Sequence, residues 1–207
     1  MLSRRARVLL LAGAGLVALL AAAAIGIYWY RRGPGFERQT SRLASISELR
    51  AGMTAAEIGA GGGRMAVLLA RHLGPSGRLL ATEIENDKLD AIRKTAAAAG
   101  LTNIEVLKAG EHATNLPDAC CDVIYMRRVY HHLADAPAIN KSIHSALRPG
   151  GRLAVVDFLS PRWLFPARHG ISSEAVIRQV TSSGFGLERR FDYWSLMDYC
   201  LIFRRRP

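Results

Sequence analysis

Residues 55–63 read Ala-Ala-Glu-Ile-Gly-Ala-Gly-Gly-Gly, an apolar stretch that leads past one carboxylate into a loop of almost bare backbone. Each glycine removes the Cβ that would keep a bulky ligand away from the chain. The amide groups of such a loop can bind a carboxylate or phosphate, and a helix that follows adds its positive N-terminal end. The stretch therefore predicts a strand, a cofactor-binding loop and a helix. Glu57 would accept hydrogen bonds from a positively charged part of the cofactor.

The spacing of the glycines narrows the choice of cofactor. A dinucleotide fingerprint requires G-x-G-x-x-G, but counting from Gly59 the third glycine position holds Arg64. A phosphate-binding P-loop requires a lysine after its last glycine, and none follows here. The pattern present is E-x-G-x-G-x-G. Taken alone, the loop is also compatible with a plain glycine-rich turn between a strand and a helix in any α/β protein.

The positive charge of the chain is concentrated at its two ends. The 207 residues are half apolar and carry a formal net charge of +11, of which residues 1–50 contribute +6 and residues 204–206 contribute +3. A nucleic-acid enzyme is expected to carry its basic patch on the folded face, so this distribution argues against a nucleic-acid partner. Basic ends are better suited to an anionic membrane surface, although the tail could also be a solvated arm.

The three cysteines predict neither a disulfide framework nor a metal site. Cys120 and Cys121 are sequence neighbours, Cys200 is distant from both, and no C-x-x-C pair occurs. We expect free thiols in a reducing compartment and no zinc or iron–sulfur site.

Residues 8–30 contain no charged side chain. As a helix these 23 residues would be roughly 35 Å long, enough to cross a hydrocarbon core of about 30 Å. Arginines precede the run, and an aromatic cluster with two further arginines follows it, which is typical of interfacial anchors. We predict one transmembrane helix within an anchor segment at residues 1–32. The alternative is a cleaved signal peptide, but the apolar run continues past the small residues at 22–24.

The rest of the chain predicts a linker with an amphipathic lid helix (residues 33–50, the helix covering 36–50) and a folded domain (residues 51–207). Apolar runs and helical patterns alternate through this domain. The predicted strands are 55–58, 78–83, 104–108, 121–126, 152–157, 185–191 and 195–204. The predicted helices are 64–73, 86–99, 137–147 and 172–183. This alternation predicts an α/β fold with a doubly wound, mostly parallel, Rossmann-like sheet that ends in a hairpin.

Ligands of such sheets bind beyond the carboxyl ends of the strands, and three polar groups fall there. Glu83 ends the second strand, where a carboxylate can accept both ribose hydroxyls of an adenosine; a helix-start acid opposite the macrodipole is the alternative. Residues 110–112 follow the third strand, and there Glu111 is favoured over His112 as the acceptor of the adenine amino group. Residues 127–133 follow the fourth strand and should line the reaction centre.

Together, residues 57–63, Glu83, residues 110–111, 122–133 and 147–153 resemble the class I S-adenosylmethionine-dependent methyltransferases in both order and spacing. The resemblance covers about residues 44–203. It implies a seven-stranded sheet with its last strand antiparallel, and S-adenosylmethionine as the cofactor. The cofactor contacts that it implies are Glu57, Gly59, Gly61, Glu83 and Glu111. The predicted cofactor site also includes their neighbours Ala60, Ile84, Gly110 and His112, together with Arg127. Two features depart from the family pattern: Glu111 stands where aspartate is usual, and a pair of arginines stands where one polar residue is typical.

Methyl transfer from a sulfonium requires mainly positioning and desolvation, because the donor is already activated. A base is needed only if the acceptor must lose a proton. The candidates for that role are Tyr130, His131, His132 and His169. The alternative for the two adjacent histidines is a structural pair that caps the strand end, and for His169 a hydrogen bond that orders its loop.

The acceptor is predicted to be small and lipophilic or membrane-associated. The fourth strand is not followed by [DNS]-P-P-[YFW], the motif that binds amino groups of nucleobases, and this argues against nucleic-acid methylation. The apolar residues 163–165 in the loop after the fifth strand could form a hydrophobic mouth beside a membrane, with the domain facing the cytosol. The rival predictions are a membrane-tethered, non-catalytic cofactor-binding protein and an exported domain. The sequence leaves the acceptor atom and the oligomeric state open.

Overall fold

The computed structural model describes residues 13–22, 25–26, 33–159, 170–195 and 197–206. The chain divides into two compact units, residues 1–40 and residues 41–207. In the first unit, residues 13–22 and 25–26 are helical. Their large apolar side chains are exposed, namely Leu16, Val17, Leu19, Leu20 and Ile25.

The transmembrane helix predicted over residues 8–30 is not supported. Among the residues that the structure describes, no helix is both long enough and apolar enough to cross a membrane. Residues 8–12, 23–24 and 27–30 of the predicted span lie outside the described part of the chain. The proposed division into residues 1–32, 33–50 and 51–207 stays a prediction.

Helix α1 covers Pro34–Ile46, and the boundary between the two units falls within it. It begins at a proline, whose fixed φ suits the first turn of a helix. We predicted that this helix would continue to residue 50, but it ends four residues earlier because Glu48 adopts a left-handed φ of 57°. Leu43 and Leu49 are buried, as expected of an apolar helix face and the turn that follows it. The lid role of this helix stays a prediction.

A seven-stranded sheet forms the centre of the second unit. Its strands are β1 Thr54–Ile58, β2 Arg78–Glu83, β3 Ile104–Lys108, β4 Cys121–Arg127, β5 Leu147–Phe158, β6 Phe185–Phe191 and β7 Asp198–Arg205. The helices are α2 Arg64–Leu73, α3 Asn86–Ala98, α4 Ala136–Ala146 and α5 Ser173–Thr181. The strand order is β3-β2-β1-β4-β5-β7-β6, and only β7 runs antiparallel to its neighbours. The predicted fold class, with its antiparallel last strand, is confirmed.

The burial of the strands explains this order. The central strands β1 and β4 are buried along nearly their whole length, as parallel strands covered by helices on both faces must be. The edge strands β3 and β6 carry mostly exposed or half-buried side chains. Helix α2 packs with α3, and α4 packs with α5, so each pair forms a separate helical layer. The carboxyl ends of β1, β2, β3 and β4 therefore meet at one edge of the sheet, beside the switch in strand order between β1 and β4.

Strand β5 is longer than predicted because a bulge joins a short extension to it. Its register against β4 shifts from Cys121↔Leu147 to Val123↔Arg152. Residues 148–151, which lie between the predicted helix and the predicted strand, form this bulge. A Cβ on Gly151 would lie 2.9 Å from the Arg148 carbonyl oxygen, so the bulge requires glycine at that position.

A buried hydroxyl pair joins the turn after α1 to the middle of the sheet. Ser47 Oγ lies 2.6 Å from Tyr125 Oη and donates to the Leu43 carbonyl, so Tyr125 is the donor to Ser47. We expect Tyr125→Phe to lower the free energy of unfolding by about 1 kcal/mol, the net contribution of one such hydrogen bond. Thermal unfolding should then shift down by about 2–4 °C for a domain of this size.

The matched control for this prediction is Tyr193→Phe, since Tyr193 is 90% exposed. The control should leave the melting temperature unchanged. Equal effects of the two substitutions would show that the buried pair contributes nothing specific to stability.

Candidate functional site

A cavity of about 670 Å³ opens at the carboxyl ends of the first four strands. Its size is within the range of small-molecule and cofactor sites. The lining residues come from the loop after β1, the end of β2, the segment after β3 and the segment after β4. Those with a polar or charged side chain are Glu83, Glu85, Lys88, Glu111, Thr114, Arg127, Arg128 and His132. The cavity therefore lies where the strand order predicted a ligand.

The loop after β1 presents its backbone to this cavity. The amides of Gly59 and Ala60 both donate to the Thr82 carbonyl oxygen at 3.0 Å, which holds the loop against the end of β2. Gly59 has φ +67°, and a Cβ there would lie 2.5 Å from Val129 Cγ2. Gly61 lines the cavity, and nothing lies within 4 Å of the position that its Cβ would take. The loop is fixed on one side and open to a ligand on the other.

Glu83 connects the end of β2 to this loop. Its Oε1 accepts the Gly61 amide at 2.7 Å, and its Oε2 accepts the amide of Ile84 at 3.1 Å. The side chain is largely buried but lines the cavity. Because each carboxylate oxygen has a second lone pair, Glu83 can hold the loop and still accept hydrogen bonds from a ligand's hydroxyls.

The segment after β3 turns tightly beside the cavity, with the Gly110 amide donating to the Ala113 carbonyl at 2.9 Å. Gly110 and Glu111 line the cavity, whereas His112 does not. His112 Nδ1 instead lies 3.2 Å from Asp135 Oδ2, outside the site. The role of Glu111 as the adenine contact stays a prediction.

Glu57 is not among the residues that line the cavity, although the next two residues in the chain, Ile58 and Gly59, are. The carboxyl is buried, and this desolvation raises its pKa to about 8, against the opposing effects of the Arg127 charge and the Ala66 amide. Its Oε2 has no hydrogen-bond partner among the described residues. Arg127 does line the cavity, and its burial lowers its own pKa. A buried carboxylate oxygen without a partner, within the electrostatic reach of an arginine that lines the cavity, is compatible with a charged ligand group nearby.

Arg128 is a site residue that sequence reasoning missed, since only Arg127 of the pair was assigned a role. Its backbone has a left-handed φ of 56°, and its amide donates to the Val156 carbonyl at 2.7 Å. The guanidinium donates through Nε and Nη2 to Asp198 Oδ1, at 3.0 and 2.7 Å. Asp198 is 70 residues away in the sequence, so no local signal could have predicted this pair.

The three catalytic candidates after β4 occupy a short 3-10 turn, Tyr130–His132, and the structure separates them. Only His132 lines the cavity. Tyr130 is buried and accepts a hydrogen bond from Asn140 Nδ2 at 2.8 Å, a structural contact. The His131 ring is buried next to that of His132, with 3.9 Å between the ring centroids. The fourth candidate, His169, lies outside the described residues.

Asp157, at the end of β5, holds this turn in place. Its Oδ1 is 2.8 Å from His131 Nδ1, and its Oδ2 accepts the His131 amide at 3.2 Å. The carboxyl is fully buried, which raises its pKa, while the amide of Phe158 and the imidazole of His131 oppose that rise. The sequence analysis missed Asp157, whose available signal is an acid at the end of an otherwise apolar predicted strand.

The residues present fit a nucleotide-like cofactor with a cationic part. Most of the predicted cofactor contacts line this cavity, namely Gly59, Gly61, Glu83, Ile84, Gly110, Glu111 and Arg127. Ala60 is buried behind the loop, and Glu57 and His112 lie outside the lining. Within the described ranges, no group of three or more His, Cys, Asp or Glu side chains is placed to hold a metal ion. The three cysteines are free.

Comparisons with known proteins identify the same region of the chain. A protein family described as "Methyltransferase domain" matches residues 56–155. The chain is 28% identical over 129 residues to a ubiquinone/menaquinone biosynthesis C-methyltransferase from Enterobacter sp. (strain 638), covering 61% of this chain and 51% of that protein. It is 31% identical over 147 residues to 27-O-demethylrifamycin SV methyltransferase from Amycolatopsis mediterranei, covering 69% and 51%. The chain thus spans about half the length of these curated relatives.

A solved structure shows the same fold. The crystal structure of a SAM-dependent methyltransferase from Aquifex aeolicus superposes with a TM-score of 0.73 at 21% sequence identity. The superposition covers 80% of this chain and 89% of that one. At this level of identity the likeness is evidence for the fold rather than for a shared substrate.

Proposed function

Since the chain contains a methyltransferase domain with the class I S-adenosylmethionine-dependent fold, we propose that it transfers the methyl group of this cofactor to a small, lipophilic acceptor. One observation carries the proposal. Glu83 lines the cavity at the end of β2 and holds the Gly61 amide, so an acid and an open glycine backbone face one ligand space. That combination suits the ribose and the amino-acid part of S-adenosylmethionine.

The cofactor, when bound, supplies a methyl group already activated on a sulfonium. The chain's own residues have the tasks of binding, orienting and excluding water. Glu83 and Glu111 would hold the adenosine at the β2–β3 side of the cavity. The Gly61 backbone and Arg127 would hold the amino-acid part near the β1–β4 switch. The segment after β4 closes the remaining side.

For an acceptor that must lose a proton, His132 is the best placed of the three candidates that the structure describes. It is the one that lines the cavity among the three that the structure describes. Asp157 would act through His131 by fixing the turn on which His132 stands. An acceptor that is already an anion or a neutral amine needs no such base.

The lining and the relatives support a lipophilic organic acceptor. Val129, Leu133 and Ile139 give the β4 side of the cavity an apolar surface. The relatives' names place the accepting atom at carbon in ubiquinone/menaquinone biosynthesis and at an oxygen of a rifamycin. We therefore propose a small organic molecule and no nucleic acid, with carbon or oxygen as the accepting atom.

The test is methyl transfer by the full-length protein in detergent, with S-adenosylmethionine labelled in its methyl group. Lipid extracts and soluble metabolites are offered as separate acceptor pools. We expect label in the lipid pool and formation of S-adenosylhomocysteine. Transfer only to soluble metabolites would contradict the lipophilic acceptor. Cofactor binding without transfer to either pool would favour the rival, a non-catalytic cofactor-binding protein.

We also propose that the N-terminal segment tethers the domain to a membrane, with the domain on the cytoplasmic side. The support is the uncharged run at residues 8–30 between arginine-rich flanks. Resistance of the full-length protein to alkaline carbonate extraction would agree with an anchor. N-terminal sequencing of the mature protein separates the alternatives, because a start near residue 25 would mean a cleaved signal peptide and an exported domain.

A further inference from the structure

We infer that Arg128 is a specificity-determining residue that binds an oxyanion of the methyl acceptor, so that the acceptor combines an apolar body with a carboxylate or similar acidic group. This inference rests on the proposed function in that it treats the 670 Å³ cavity as the shared cofactor and acceptor site. It adds a class of substrate, an amphipathic acid, to what the fold and the relatives indicate.

Arg128 lines the cavity, and its guanidinium is held rigidly by neighbouring residues. Two of its nitrogens bind Asp198 Oδ1, and Asp198 is itself fixed by Ser195 Oγ at 2.8 Å. The charged group also lies 5.1 Å from the centroid of the Phe158 ring, a cation–π arrangement. A planar guanidinium held on two sides loses little conformational entropy when it binds a ligand.

One nitrogen of this group is left to bind a ligand. Nη1 of Arg128 makes no hydrogen bond to any residue in the described part of the chain, although the side chain is only 23% exposed. Nη1 is not fully buried, so water can reach it in the free protein and a ligand acceptor can replace that water. An anionic oxygen gives the stronger, charge-assisted hydrogen bond.

The charges of the cavity wall are separated by sign. Glu83, Glu85 and Glu111 come from the β2 and β3 side, where Lys88 is paired with Glu85. The β4 side carries two guanidiniums and an imidazole, those of Arg127, Arg128 and His132.

Apolar side chains stand beside the arginines at the same end. Val129 follows Arg128 directly, and Leu133 and Ile139 complete the surface. This end of the cavity is thus complementary to an apolar molecule with an acidic oxygen.

The experiment uses the full-length protein in detergent, saturated with S-adenosylhomocysteine, and three pairs of probes. Benzoate, 2-naphthoate and octanoate are each titrated against the corresponding primary amide by calorimetry. We expect at least one acid to bind about tenfold or more tightly than its amide, the range of one charge-assisted hydrogen bond. In Arg128→Gln the preference should fall to about twofold or less, while the affinity for S-adenosylhomocysteine is retained.

Arg128→Gln leaves Asp198 buried without its cation, so the double variant Arg128→Gln/Asp198→Asn is measured in parallel to keep that region neutral and hydrogen-bonded. The matched control is Arg93→Gln, an exposed arginine of α3 paired with Asp90. No preference for any acid, or a preference that persists in both variants, would overturn the inference. An equal loss of S-adenosylhomocysteine affinity would assign Arg128 to the cofactor and overturn it as well.

The same titrations distinguish failure of the proposed methyltransferase function from failure of the role inferred for Arg128. Failure of the wild-type protein to bind S-adenosylhomocysteine would sink the proposed function, and the acid preference would still be measured on the protein alone. Normal binding of S-adenosylhomocysteine without an acid preference would leave the methyltransferase proposal intact and remove only the role of Arg128.

Discussion

Glu83→Ala is expected to weaken the binding of S-adenosylmethionine about ten- to hundredfold, since a hydrogen bond to a charged group contributes about 1.5–3 kcal/mol. Two losses act together. The Gly61 and Ile84 amides lose the carboxylate that accepts them, so the glycine loop loses its attachment to β2. The ribose hydroxyls lose their predicted acceptor. Calorimetry on the full-length protein in detergent gives the ratio of dissociation constants.

Two further variants show whether a loss of affinity is specific to the Glu83 position and whether it depends on the charge. Glu105→Ala removes an exposed glutamate of β3, paired with Arg78 outside the cavity, and should leave the affinity unchanged. Glu83→Gln keeps an oxygen that can accept the Gly61 amide but removes the charge, so its affinity should lie between those of Glu83→Ala and the wild type. Binding by Glu83→Ala within about twofold of the wild type would contradict the assigned role, because it corresponds to less than one hydrogen bond.

The sheet could be predicted because its signals are local. Each strand is a short apolar run with a turn on either side, and the strand–helix alternation leaves few topologies to choose from. Glu83 was found for the same reason, as the last residue of an apolar run that precedes a helix. The strand end and the glycine loop together place a ligand at the switch point without any knowledge of long-range contacts.

The contacts across the sheet could not be predicted in this way. His131 meets Asp157 only because β5 lies beside β4, and Arg128 meets Asp198 only because β7 inserts between β5 and β6. Both pairs depend on strand order, which no window of sequence contains. The pattern of apolar residues also does not predict that Tyr130 is buried while His132, two residues later, is exposed.

Glu57 is a charged residue in an otherwise apolar strand, and its burial changes its protonation. A charged residue in an apolar strand predicted a ligand contact, and this contact stays a prediction. The side chain is buried, and its desolvation raises its pKa from 4.5 to about 8. Between these two values the folded protein holds a proton that the unfolded chain releases. The stability that Glu57 contributes as a neutral acid is therefore complete below pH 4.5, and it is lost as the pH rises through about 8.

We accordingly expect Glu57→Gln to remove a component of the pH dependence of stability. In the wild type, the ionisation of Glu57 lowers the free energy of unfolding by at most about 5 kcal/mol as the pH rises from 4.5 to 8. The amide is neutral at every pH, so the variant should gain stability relative to the wild type as the pH rises. Denaturant unfolding of the cofactor-free, full-length protein at pH 5, 6.5 and 8 measures the difference.

Comparing each variant with the wild type at every pH cancels the titration of other groups, including the buried Asp157, whose pKa is also raised by burial. Glu105→Gln makes the same chemical change at an exposed position and should produce no comparable gain. A constant difference between Glu57→Gln and the wild type from pH 5 to pH 8 would mean that the carboxyl is charged throughout. In that case Arg127 and the amide of Ala66 would outweigh the cost of burial, and Glu57 would be ionised over this whole pH range.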